Sequence, residues 1–150
     1  MPELTDLQHR TLAAAAGRIL PSDDGPGALE TGAAEYVMAA LGEERLRDLY
    51  PLFIHSLDRI DQIAREAFGT DFTAARPEQR DEVLRRLQAL PHPVIRQFFA
   101  RLVHLCVEGF AGPPNSGGNR GGLGWRYLGY PPAEMEDDGC RVPIQTSGTL

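Results

Sequence analysis

Apolar positions recur at helical spacing in five successive stretches of the chain. Leu12, Ala16, Ile19 and Leu20 form the first stripe, with Thr5 and Gln8 spaced as a capping box before it and Pro21 closing it. This pattern predicts a helix over 5–20. Leu29, Ala33, Tyr36, Val37, Ala40 and Leu41 predict a second helix over 28–41, ended by Gly42. Phe53, Leu57, Ile60, Ala64 and Ala67 step by four, three, four and three. They predict a third helix over 50–68, roughly 28 Å long, with Pro51 in its first turn and Gly69 beyond its end. Pro77 opens a fourth helix over 77–90, carrying Val83, Leu84, Leu87 and Leu90. Phe72, in the loop before it, is expected to tuck inward. The fifth helix, over 93–109, is the most apolar. Val94, Ile95, Phe98, Phe99, Leu102, Val103, Leu105, Cys106 and Val107 leave only a narrow polar stripe of Gln97, Arg101, His104 and Glu108. So wide an apolar arc predicts a place in the middle of a bundle.

The helical pattern stops after residue 111. Glycines at 112, 117, 118, 121, 122, 124 and 129 share the next stretch with prolines at 113, 114, 131 and 132. A regular helix is excluded there, because glycine costs about 1 kcal/mol and proline about 3 kcal/mol at each helical position. A free linker is excluded too, since Trp125, Tyr127, Leu128 and Tyr130 are too apolar to leave in water. Glycines with anchored aromatics describe a shaped loop lying on a surface. An irregular segment of this length is rare inside a compact domain, which favours the surface of another chain. The reading is therefore all-α: a five-helix bundle over 1–111, and an irregular Gly/Pro-rich C-terminal arm over 112–150 that packs on a partner subunit.

Composition adds limits. The chain has 150 residues, 42% of them hydrophobic, enough for one domain with its own core. Fifteen basic residues, all arginine, against 21 acidic ones give a net charge of −6, which argues against a nucleic-acid groove. No apolar run approaches the roughly 20 residues of a membrane span. The N-terminus Met-Pro-Glu-Leu-Thr-Asp has no positively charged start and no twin arginine, which leaves three expectations open: the chain stays in the cytoplasm, rides out with a signal-bearing partner, or was trimmed.

Candidate chemistry is thin. Asp23 and Asp24 form a carboxylate pair, but in the cluster Ser22-Asp-Asp-Gly-Pro-Gly they are better read as turn residues and a cap for the next helix. His55 and Asp58, three apart on the third helix, fall off its apolar stripe and read as a solvated or interface pair. His104 and Glu108, four apart, offer two metal ligands and no more, and no Glu-x-x-His or His-Glu-x-x-His occurs. The glycines form neither GxGxxG nor GxxxxGK[ST], so a dinucleotide or phosphate cradle is not indicated. Cys106 reads as a buried thiol, and Cys140 reaches it only if the tail folds back. No catalytic, cofactor-binding or metal residue is assigned on these grounds. Two rival readings stay open: a self-standing helical enzyme using Asp23, Asp24, His55 or His104, and a generic adaptor.

The run from Gly117 to Pro131, Gly-Gly-Asn-Arg-Gly-Gly-Leu-Gly-Trp-Arg-Tyr-Leu-Gly-Tyr-Pro, resembles the closing signature of the gluconate 2-dehydrogenase subunit 3 family. The stretch Arg18-Ile-Leu-Pro-Ser-Asp-Asp-Gly-Pro-Gly-Ala-Leu-Glu resembles that family's first helix-to-loop junction. Phe98 to Leu102, with Gly109 to Pro114, resembles the helix before its glycine-rich loop. Together these cover about residues 8–132. The resemblance implies a small, non-catalytic subunit that accompanies a large FAD-dependent flavoprotein of the glucose–methanol–choline oxidoreductase type. That partner oxidises sugars, glycosides or polyols, and its electrons leave through a cytochrome subunit or another acceptor. FAD belongs to the partner, and the small subunit serves its folding, stability or export. Members are often exported to the periplasm on a twin-arginine signal, a pattern from which this N-terminus departs. The positions singled out for partner binding are Asn119, Arg120, Trp125, Arg126, Tyr127 and Tyr130.

Overall fold

A computed structural model describes residues 3–129, together with the backbone of two short strands, Met135–Glu136 and Gly139–Cys140, which pair antiparallel. Seven α-helices follow one another: α1 Asp6–Ile19, α2 Ala28–Thr31, α3 Ala33–Leu41, α4 Tyr50–Phe68, α5 Pro77–Gln88, α6 Pro93–Ala111 and α7 Leu123–Tyr127. Short 3-10 turns at Glu44–Leu49, Phe72–Ala74, Pro114–Ser116 and Arg120–Gly122 connect them.

The all-α reading holds, but the count of five helices does not. Gly32 adopts a left-handed conformation (φ 77°, ψ 15°) and divides the second expected helix into α2 and α3. A residue with a side chain is strained there, so the break is written into the chain at one position. The second addition, α7, forms inside the glycine-rich stretch. Gly122, at φ 72°, turns the backbone into it, and the helix is only five residues long.

Local signals place the other elements where the sequence puts them. Thr5 accepts from the Gln8 amide at 3.2 Å while the Gln8 side chain accepts from the Thr5 amide at 2.9 Å, completing the capping box of α1. Helix α4 starts at Tyr50 with Pro51 in its first turn and ends on left-handed Gly69, whose amide donates to the carbonyl of Arg65. Its apolar stripe buries Phe53, Leu57, Ile60 and Ala64. Phe72 is fully buried, and its amide donates to the carboxylate of Asp61 on α4 at 3.2 Å.

The core lies where α1, α3, α4, α5 and α6 meet, around Leu12, Val37, Phe53, Val83, Leu87, Phe98 and Leu102. Phe53 and Phe98 meet edge to face at 5.0 Å. Each such side chain contributes about 1.5–3 kcal/mol on leaving water, before the entropy of ordering is subtracted.

Helix α6 leaves part of its apolar arc uncovered. It buries Ile95, Phe98, Leu102, Leu105 and Cys106, but Val103 is 42% exposed and Val107 is 50% exposed. Its apolar arc is wider than the face the bundle covers. The helix packs against every other α-helix, as its wide apolar arc leads one to expect, while this part of its surface stays open to solvent. Among the described residues no helix is long and apolar enough to cross a membrane.

Candidate partner-binding site

The stretch after α6 turns back on that helix and is held there by Asn119. This residue is fully buried and is the non-glycine residue with positive φ among the described residues (φ 44°, ψ 49°). Its backbone amide donates to the carbonyl of Gly109, near the end of α6, at 2.5 Å. Its side-chain amide donates to the carbonyl of Gly112 at 2.7 Å. Its side-chain oxygen accepts from the amides of Gly124 at 2.8 Å and Trp125 at 3.3 Å. One side chain thus satisfies a carbonyl at the end of α6 and two amides at the start of α7. These are the groups that a helix leaves unpaired at its ends.

Close backbone approach makes this clasp possible. A Cβ on Gly118 would strike the carbonyl of Gly109, and one on Gly124 would strike the carbonyl of Phe110. Both obstacles are backbone and cannot swing aside. Trp125 completes the closure. Only 9% of it is exposed, and its indole nitrogen donates to the carbonyl of Ala111 at 2.6 Å.

Of the positions expected to meet a partner, the structure turns Asn119 and Trp125 inward, where they bind the chain to itself. Arg120, Arg126 and Tyr127 face outward. Arg120 approaches Glu35 on α3 at 3.8 Å, with both side chains largely exposed. Arg126 donates to the carbonyl of Gly121 at 3.1 Å. Tyr127 is 54% exposed, and its ring meets Phe110 edge to face at 6.2 Å. It also lies directly over Gly25, where a Cβ would collide with the ring. Tyr130 lies outside the described residues.

Tyr127 and Leu128 form one wall of an open cleft of about 450 Å³ between the loop after α1 and the end of α6. Leu20, Phe110 and Val107 supply further apolar walls, while Asp23 and Asp24 stand at its edge as the charged residues among its lining. The cap of α2 is Gly27, whose amide is held by Glu30 at 2.9 Å, so neither aspartate is the cap residue expected from the sequence. Val103 lies one turn before Val107 on α6 and lines a second concavity with Phe99, Ala100 and Arg96. An apolar stripe thus runs along the outside of α6 and ends in the cleft. The sequence places Val103 and Val107 on the apolar arc of the fifth helix and marks Leu128 as too apolar for water, but names none of the three as a partner position. Periodicity marks a side chain as apolar, but does not say whether the same chain or another one covers it.

The residues of the rival enzymatic reading are dispersed. His55 on α4 faces His92, the cap of α6, with ring centroids 6.2 Å apart. His104 lies twelve positions further along α6, roughly 18 Å away by helical rise. It pairs with Glu108 at 3.2 Å, and Glu108 also accepts from the Tyr36 hydroxyl at 3.0 Å. Burial, followed by the Glu108 carboxylate, pushes the Tyr36 hydroxyl above its ordinary range. Asp58 accepts from the side chain of Gln8 at 2.9 Å. Among the described residues no three His, Cys, Asp or Glu side chains gather as metal ligands. Cys106 is buried as a free thiol, and desolvation pushes it up to about 12, far from a reactive thiolate.

The architecture is that of a small helical protein whose irregular C-terminal segment is clasped to its last long helix beside an exposed apolar stripe. Residues 6–132 match the family model described as gluconate 2-dehydrogenase subunit 3, so the chain belongs to that family. By its family name it is a subunit of a dehydrogenase complex, implying a larger dehydrogenase subunit as its partner. Neither the curated proteins nor the solved structures gave a match.

Proposed function

We propose that this chain is a non-catalytic small subunit that binds and stabilises a large FAD-dependent oxidoreductase of the glucose–methanol–choline type, which oxidises sugars, glycosides or polyols. The observation that carries the reading is the exposed apolar stripe of Val103, Val107, Tyr127 and Leu128. A monomer gains nothing from leaving such a stripe in water, whereas a subunit buries it on assembly. Family membership supplies the dehydrogenase complex, and the resemblance of the glycine-rich run supplies the flavoprotein. Flavin and the reacting groups sit in the partner. The small subunit contributes a preformed surface, because the Asn119 clasp orders the loop before any partner arrives.

The test is expression of the flavoprotein subunit with and without this chain. The expected result is a higher yield of soluble, flavin-loaded large subunit when the two are made together, with both recovered in one complex. An unchanged yield and no shared complex would refute the reading.

A further inference from the structure

The cleft between the loop after α1 and the end of α6 is chemically lopsided, and this shape of chemistry narrows what fills it. Its walls are apolar. Val107 and Leu128 are each 50% exposed and Tyr127 is 54% exposed, so the walls open to solvent and suit a protruding side chain more than an enclosed small molecule. Tyr127 is held against Phe110 and over Gly25, so its ring is in place before anything binds. The charged residues among the lining are Asp23 and Asp24, both exposed.

We infer that this cleft receives a segment of the larger dehydrogenase subunit that carries an apolar side chain next to an arginine or lysine. The inference rests on the proposed function and names the site and the recognising chemistry. The apolar side chain fills the space between Val107, Tyr127 and Leu128, and the basic group meets Asp23 and Asp24. Charge argues against a second copy as the occupant. It would bring its own carboxylates and a net charge of −6 to an acidic edge, and a like-charge approach is disfavoured. The chain's own segment after Gly129 carries Glu134, Glu136, Asp137 and Asp138 before its one arginine, Arg141, which Val142 follows, and it is the occupant that the truncated chain tests.

The experiment measures binding of the large subunit to the full chain by biolayer interferometry across a range of salt concentrations. It uses the wild type, Val107→Asp, the double variant Asp23→Asn with Asp24→Asn, and a chain lacking 130–150. Val107 and the two aspartates are exposed, so these variants keep the fold, checked by circular dichroism. Val107→Asp is expected to weaken binding on the order of tenfold or more. The asparagine pair is expected to weaken it severalfold at low salt and to flatten the salt dependence. Wild-type binding with both variants unchanged would overturn the cleft while leaving the proposed function standing. No binding by either the wild type or the chain lacking 130–150 would overturn both. A wild-type dimer abolished by Val107→Asp would assign the cleft to a second copy. Binding seen only after residues 130–150 are removed would assign it to the chain's own tail. Either assignment would overturn the inference.

Discussion

The indole nitrogen of Trp125 donates to the carbonyl of Ala111, the last residue of α6, at 2.6 Å. This bond joins the end of the long apolar helix α6 to the short helix that follows the glycine-rich turn. It makes the only tryptophan of the chain a structural closure beside the exposed face. Replacing Trp125 with Phe keeps an aromatic ring but leaves the carbonyl without this donor, at an expected cost of about 1–3 kcal/mol. Replacing it with Ala also opens a cavity, at about 3–5 kcal/mol. Urea denaturation checks both: the midpoint should fall in that order. Equal midpoints for wild type and Trp125→Ala would show that the closure contributes nothing.

Asn119 separates conformation from hydrogen bonding. Asn119→Gly keeps the left-handed backbone and loses the three side-chain bonds. Asn119→Ala loses the same bonds and adds left-handed strain, roughly 1–2 kcal/mol more. Thermal unfolding should therefore rank wild type above the glycine variant and the glycine variant above the alanine variant. If alanine and glycine prove equal, the left-handed conformation is not what selects asparagine here.

Much of the bundle was legible because its signals are local. The Thr5–Gln8 capping box, Pro51 and Gly69 each act within one helical turn, and α1 and α4 form where they direct. The Gly32 break was not legible, because Ala28 to Leu41 keeps its apolar spacing through the glycine. The partners of Asn119 were hidden for a different reason. They lie five to ten residues away on both sides and meet only after the chain has reversed. The outward face of α6 was misread because Val103 and Val107 have the same spacing as core residues. The cleft draws together the loop after α1, the end of α6 and the segment at α7, which no local pattern connects.

Cys106 tests the packing of α6 from inside. Buried and pushed up to about 12 by desolvation, its thiol is protonated at neutral pH and shielded. Thiol reagents at pH 8 should modify it at the rate of unfolding, and fast once denaturant is added. Rapid modification in native buffer would mean that α6 opens readily.

The ion pair between Arg18 on α1 and Asp81 on α5, with N···O distances of 2.7 and 2.9 Å, predicts an acid dependence. The hydrogen bond from the guanidinium holds the Asp81 carboxyl below its ordinary range. A carboxyl whose folded value is depressed adds stability above its ordinary value, and that stability is lost as pH falls through the folded value. Melting temperature should therefore drop below about pH 4, and less steeply in Asp81→Asn. Identical slopes would exclude this pair as a source of the acid sensitivity. Both side chains are partly exposed, so added salt should reduce the difference.

The central claim is that flavin chemistry belongs to a partner held by this chain. The most direct measurement is the flavin absorbance of affinity-tagged chain, purified alone and after co-expression with the flavoprotein subunit, with the eluate resolved by size. The account predicts no flavin on the chain alone, and one flavin for each large subunit in a co-eluting complex. Flavin bound to the isolated chain, or a flavoprotein that elutes entirely free of it, would contradict the account.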